Sequence, residues 1–223
     1  MPGKIDRPVL FLAVLALAAA AIGAYARPSD RARDATPGEF DYYVLSLSWS
    51  PAFCLQSPRA AQCNGPRRYG FIVHGLWPQY ERGWPQDCAA TRLPDEIAHG
   101  VADLMPAGGL VSHEWSAHGT CSGLDPAEYF ALLRRAYQSV AMPALAQVGS
   151  AVEQAPAAIS AAFFRANPRL PPDSLVLICG RQAAARLREV RVCFARDLTP
   201  RACSADVLRE GCRASSVIVA PIR

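Results

Sequence analysis

Three of the chain's four histidines fall in two short segments, His74-Gly75-Leu76-Trp77-Pro78 and His113-Glu114-Trp115-Ser116-Ala117-His118-Gly119-Thr120-Cys121; the fourth is His99. Imidazole titrates near neutrality, so two of them with a carboxylate can take a proton from one group and give one to another. On a helical turn Glu114 and His118 stand at i and i+4 and share a face, with His113 adjacent. A carboxylate beside an imidazole orients it and raises its pKa. His74 has to join from a separate strand. The chemistry that needs this set without a metal is in-line phosphoryl transfer by the substrate's own hydroxyl. One imidazole takes the nucleophile's proton and the other protonates the leaving oxygen.

Zinc is the competing reading, because His113-Glu114 begins like the H-E-x-x-H helix motif. The second histidine falls five residues on, at His118, and Ala117 occupies the ligand position. The cysteines form no C-x-x-C pair, so no metal site is expected. A lone histidine is more often structural than catalytic; His99, beside a glycine in an amphipathic segment, is read as surface without a role. Trp77 reads either as core or as an aromatic platform for a nucleobase.

These residues need elements to hold them. Phe40 to Trp49, Tyr69 to Leu76, Leu175 to Cys179, Leu187 to Phe194 and Val217 to Ile222 read as strands from β-branched and aromatic residues, partial alternation or apolar runs. Ser50 to Arg68 and Trp77 to Leu93 read as loops. Pro94 to Met105 has helical spacing. Asp125-Pro126 starts a helix with a buried stripe through Tyr129, Phe130, Leu132, Leu133, Tyr137 and Val140. Ser150 and Glu153 predict a capping box for a helix reaching Phe164. Strands do not alternate regularly with helices, so the expected class is α+β, with a central, mostly antiparallel sheet and several helices.

The chain has 223 residues, 51% apolar and 19% charged, which excludes a disordered or fibrous protein. Lys4 and Arg7 precede an uncharged apolar run, Val9 to Ala24, and Ala24-Tyr25-Ala26 is a small-x-small cleavage site. Residues 1–26 therefore read as a secretory signal peptide, 27–39 as a mobile leader and 40–223 as a single domain. Lys4 is the only lysine, so every side-chain cation of the mature chain, histidines apart, is an arginine. Eight cysteines in an exported chain predict a disulfide framework, for which the sequence alone allows 105 pairings.

At this point the chain resembles the ribonuclease T2 family, the secreted base-non-specific endoribonucleases. Phe71 to Pro78 (FIVHGLWP) and His113 to Cys121 (HEWSAHGTC) match its two active-site signatures. Phe40 to Pro51, Cys54, and Glu189-Val190 with Cys193 look like its flanks. The resemblance implies a disulfide-stapled α+β fold and metal-independent cleavage of single-stranded RNA to 2′,3′-cyclic phosphate ends, with low base specificity and no cofactor. By motif position it implies His118 as general base, His74 as general acid, Glu114 assisting at the phosphate, His113 binding the phosphate and Trp77 contributing to a base pocket. It implies the pairs Cys54–Cys63, Cys88–Cys121, Cys179–Cys212 and Cys193–Cys203. The second of these tethers the second signature, at a worth of roughly 3–4 kcal/mol by chain entropy. It also implies a monomer, secreted or periplasmic, with RNA as partner and no stable membrane association after cleavage.

The family pattern has lysine where this chain has Ala117, a cation expected to stabilise the phosphorane. The candidates to replace it are Arg67, Arg68 and Arg82, which flank the first signature. Leu110 and Gln79 also depart from the family's base-pocket residues. The alternative expectation is a catalytically weakened homologue acting as an RNA-binding or extracellular interaction protein.

Overall fold

The computed structural model describes residues 35–145, 149–180 and 184–222. The signal peptide, residues 27–34 of the leader and the span through Val9 to Ala24 lie outside the described residues. Among those described, no helix is long and apolar enough to cross a membrane.

Four strands make the central antiparallel sheet: β1 (Tyr42–Trp49), β2 (Phe71–Gln79), β4 (Leu175–Cys179) and β5 (Leu187–Phe194), in the order β2-β1-β5-β4. Period-2 alternation gives this sheet two unlike faces. One carries rows such as Leu76–Leu45–Val192–Leu175 and Val73–Leu47–Val190–Leu177 into the main core. The other carries Trp77–Val44–Cys193, Gly75–Ser46–Arg191–Val176 and Ile72–Ser48–Glu189–Ile178. Polar residues on that second face mark it as the working side.

Helices close the core. α4 (Gly108–Ala117) buries Val111 and Trp115, and α5 (Pro126–Gln138) buries Tyr129, Phe130, Leu132 and Leu133. Asp125 caps α5 with a full capping box through Glu128. The Tyr129 hydroxyl donates to the Leu76 carbonyl at 2.8 Å, which fixes the helix to the end of β2. The remaining helices are α1 (Ser50–Gln56), α2 (Ala61–Asn64), α3 (Asp95–Gly100), α6 (Pro156–Ala166) and α7 (Ala205–Arg209). β3 (Val152–Gln154) and β6 (Val217–Val219) form a separate two-stranded sheet.

The structure corrects several sequence expectations. The stretch from Ser50 to Arg68 is not a plain loop: Pro51 near the start of α1 nucleates a helix, and Cys54–Cys63 staples α1 to α2. Glu153 caps no helix, because it sits in β3 opposite Ile218, and α6 instead starts at Pro156 after Ala155. Strand pairing outcompeted the local capping signal. The Pro94 to Met105 helix ends at Gly100. The other bridges are Cys88–Cys121, Cys179–Cys212 and Cys193–Cys203, and no described cysteine is free.

Candidate active site

His74 owes its aim to a β-bulge. Gly75 pairs with Ser46 and Val73 with Leu47, so His74 is the extra residue on β2. Bulges of this kind redirect one side chain out of the pleat. Gly75 is required for a different reason: a Cβ there would overlap Glu114 Oε2 and the Trp77 indole nitrogen. Trp77 Nε1 donates to Glu114 Oε2 at 2.6 Å, and Glu114 Oε1 lies 3.5 Å from His74 Nε2.

On its other nitrogen His74 meets a residue from a distant strand. Nδ1 lies 2.7 Å from Glu189 Oε1. The Ser46 hydroxyl also donates to that oxygen, at 2.5 Å, and Arg191 Nε donates to Oε2 at 3.0 Å. Burial would raise the Glu189 carboxyl, but the His74 and Ser46 hydrogen bonds and the charges of Arg191 and His74 outweigh it and hold it down to about 2. Burial alone would lower His74, but the Glu189 hydrogen bond and the charges of Glu114 and Glu189 overcome it, and its pKa is raised. Burial raises Glu114, offset in part by His74 and the Trp77 N–H.

His118 has the opposite environment. It follows α4 as its C-terminal cap, its N–H donating to the Glu114 carbonyl at 3.1 Å. Its Nδ1 is buried without a hydrogen-bond partner among the described residues. An imidazolium needs acceptors for two N–H groups, so this nitrogen disfavours the cation. Burial first, then the charges of His113 and His74, pull its pKa down to about 4. Between about pH 4 and the ordinary histidine value of 6.5 the site therefore holds one charged and one neutral imidazole.

The Trp77 ring stands between them, 5.3 Å from His74 and 5.4 Å from His118 by centroids. Each imidazole opens on its own cavity. His118 lines one of about 310 Å³ with His113, Ala117, Gln79, Trp77 and Trp84. His74 lines another of about 390 Å³ with Phe53, Gln62, Leu110 and Glu189. Arg191 lines both; its guanidinium lies 5.0 Å from the Trp77 ring centroid and its Nη1 donates to Glu210 at 2.7 Å.

The structure thus brings His74, Glu114, His118, His113 and Trp77 together, with two differences from the sequence reading. Glu114 and His118 do not form the expected pair: Glu114, 1% exposed, turns inward to Trp77 and His74 and lines neither cavity. The helix ends at Ala117, so i+4 spacing no longer implies a shared face. Arg67, Arg68 and Arg82 line neither cavity; Arg67 sits over Tyr69. Sequence reasoning missed Glu189, Arg191 and Trp84. The available signal was Glu189 and Arg191 two apart on a strand whose Val190 and Val192 face the core. His99 is exposed on α3 and lines neither cavity. Among the described residues no group of three or more His, Cys, Asp or Glu could hold a metal ion.

His74 on β2 and His118 at the end of α4 thus face cavities beside the polar face of the sheet, an arrangement able to take a proton from one group and give one to another. The chain belongs to the Ribonuclease T2 family, whose model matches residues 40–203. A ribonuclease of Aeromonas hydrophila is 48% identical over 96 residues, 43% of this chain and 44% of that protein. Ribonuclease I of Escherichia coli (strain K12) is 31% identical over 147 residues, 46% of this chain and 55% of that one. The chain thus matches about half the length of these curated relatives. An RNase-related protein from Calystegia sepium shares the fold at a TM-score of 0.63 and 24% identity, over 82% of this chain and 98% of that one.

Proposed function

We propose that the protein is a metal-independent endoribonuclease that cleaves single-stranded RNA by transesterification, leaving 2′,3′-cyclic phosphate ends with low base specificity. The observation that carries this reading is the pair of imidazoles, His74 bound to Glu189 and His118 with an unpartnered buried Nδ1, flanking Trp77 and facing two adjoining cavities. His118, neutral, takes the 2′-hydroxyl proton on Nε2, the nitrogen that is not buried. The oxygen attacks the adjacent phosphorus, the bond from phosphorus to the 5′-oxygen breaks, and protonated His74 gives its Nε2 proton to that leaving oxygen. Glu189 on Nδ1 keeps His74 charged and turned.

The scissile phosphate then lies between the imidazoles. His113 lines the His118 cavity and Arg191 lines both, and Arg191 supplies the charge that Ala117 cannot through the guanidinium nitrogen that Glu189 and Glu210 leave free. Glu114 acts through His74 and Trp77 rather than on the phosphate. The base of the attacking nucleotide stacks in the His118 cavity on Trp84, 44% exposed, and on Trp77. The leaving nucleoside enters the His74 cavity beside Phe53 and Leu110. Stacking of this kind tolerates any base. Four disulfides and the N-terminal apolar segment support a secreted or periplasmic location, free of the membrane after cleavage of residues 1–26, where the protein acts as a monomer.

Cleavage of polymeric RNA in EDTA, with the product ends identified, tests the reading. Chelator-insensitive cleavage to cyclic phosphate ends is expected. Chelator-sensitive cleavage contradicts it, and RNA binding without cleavage favours the weakened homologue.

A further inference from the structure

The His74 cavity does not end at the imidazole. It shares Ala52, Gln56, Ile178 and Arg188 with a neighbouring cavity of about 380 Å³, which adds Arg186. That one in turn shares Cys179, Gly180 and Glu210 with a third of about 490 Å³, lined by Arg209 and Arg213. The Cys179–Cys212 disulfide braces the floor of this third cavity. A continuous furrow therefore leaves the acid–base centre and crosses the end of β5.

The furrow gathers both paired and unpaired arginines. Arg134, Arg191, Arg201 and Arg209 each hold a carboxylate. Among the described residues Arg186, Arg188 and Arg213 are in no ion pair. Glu210 also borders the furrow, but it is bound to Arg191, as Asp206 is to Arg209. Arg188 is turned outward by a second bulge: Glu189 pairs with Ile178 and Leu187 with Cys179, leaving Arg188 unopposed. A free guanidinium over a rigid floor is a phosphate-binding group. Arg186 and Arg191 are five residues apart along an extended strand, about 16 Å at roughly 3.3 Å per residue, more than a single phosphate occupies.

We infer that Arg188, Arg186 and Arg213 form a track for the backbone phosphates of single-stranded RNA beyond the leaving nucleoside, so that the enzyme prefers polymers to dinucleotides. This rests on the proposed ribonuclease reading and adds a binding site outside its chemistry. A neutral or apolar partner has no counterpart for three unpaired arginines, and their continuity with the His74 cavity favours the substrate chain over a separate partner.

The test uses the double variant Arg186→Ala/Arg213→Ala, two residues outside both imidazole cavities, on a dinucleoside monophosphate and on a single-stranded RNA of about 20 nucleotides. On the longer RNA at low salt, kcat/KM is expected to fall roughly tenfold, and the log–log salt slope to flatten by about 1.4, at roughly 0.7 per lost contact. Dinucleotide cleavage stays within about twofold, and Arg186→Lys/Arg213→Lys keeps the polymer preference. An equal loss on both substrates, or an unchanged salt slope on the long one, overturns the track. Binding of a non-cleavable 2′-O-methyl strand of the same length separates the two claims. If the wild type cleaves neither substrate, the catalytic reading falls, and the track stands only if this binding weakens in the double variant with the flatter slope.

Discussion

Glu189 sets the character of His74 from 115 positions away in sequence. A hydrogen bond to a charged group is worth about 1.5–3 kcal/mol, and this one raises the pKa of the imidazole. Glu189→Gln keeps the shape but not the charge, so His74 loses its proton more readily. The alkaline limb of the kcat/KM profile should move to lower pH, and the thermal midpoint should fall because His74 and Arg191 lose a buried carboxylate; an unmoved limb would make Glu189 merely structural. Arg191 is argued the same way. It is the cation common to both cavities, so Arg191→Ala should slow single-turnover cleavage by about 10²-fold, while Ala117→Lys on the wild type changes little. A large gain from Ala117→Lys with a silent Arg191→Ala would reverse this assignment. Neither Glu189 nor Arg191 had a visible role in the sequence. The motifs show residues close in sequence, whereas these meet His74 only through strand pairing.

At the level of elements, the strands were the most legible part. Leu175–Cys179 and Leu187–Phe194 run where the sequence reading put them, the second with its alternation, and Asp125-Pro126 starts its helix. What could not be read was irregularity. The bulge that frees His74 from the pleat leaves no mark beyond a glycine, and Ser150 with Glu153 offered a capping box that β3 overrode. Gly75 is where the bulge meets the site. Gly75→Ala would push into the Trp77–Glu114 hydrogen bond. Overpacking of this sort costs about 1–3 kcal/mol, and kcat should fall tenfold or more because both imidazoles are spaced by Trp77. Stability and kcat measured together check it; a fully active Gly75→Ala would remove the packing argument.

Over the whole molecule, the fold works as a clamp. The sheet brings His74, Glu189 and Arg191 from β2 and β5 to one face through their shared neighbour β1. α4 delivers Glu114 from inside and His118 at its end, and Tyr129 on α5 locks the end of β2 beneath them. Cys88–Cys121, with the Asp87 N–H donating to the Ala117 carbonyl at 3.0 Å, ties the Trp84 loop to the end of α4. The central claim is that this assembly holds His118 neutral and His74 charged over a wide pH range. The most direct measurement is kcat/KM for RNA from about pH 3 to about pH 9, which reports the free enzyme's acid and base. The account predicts a rise through about pH 4 as His118 loses its proton, then a broad plateau. The fall should come above the ordinary histidine value of 6.5, as His74 loses its own proton. An acid limb at 6.5 or higher, or a rate still climbing at about pH 9, would contradict it.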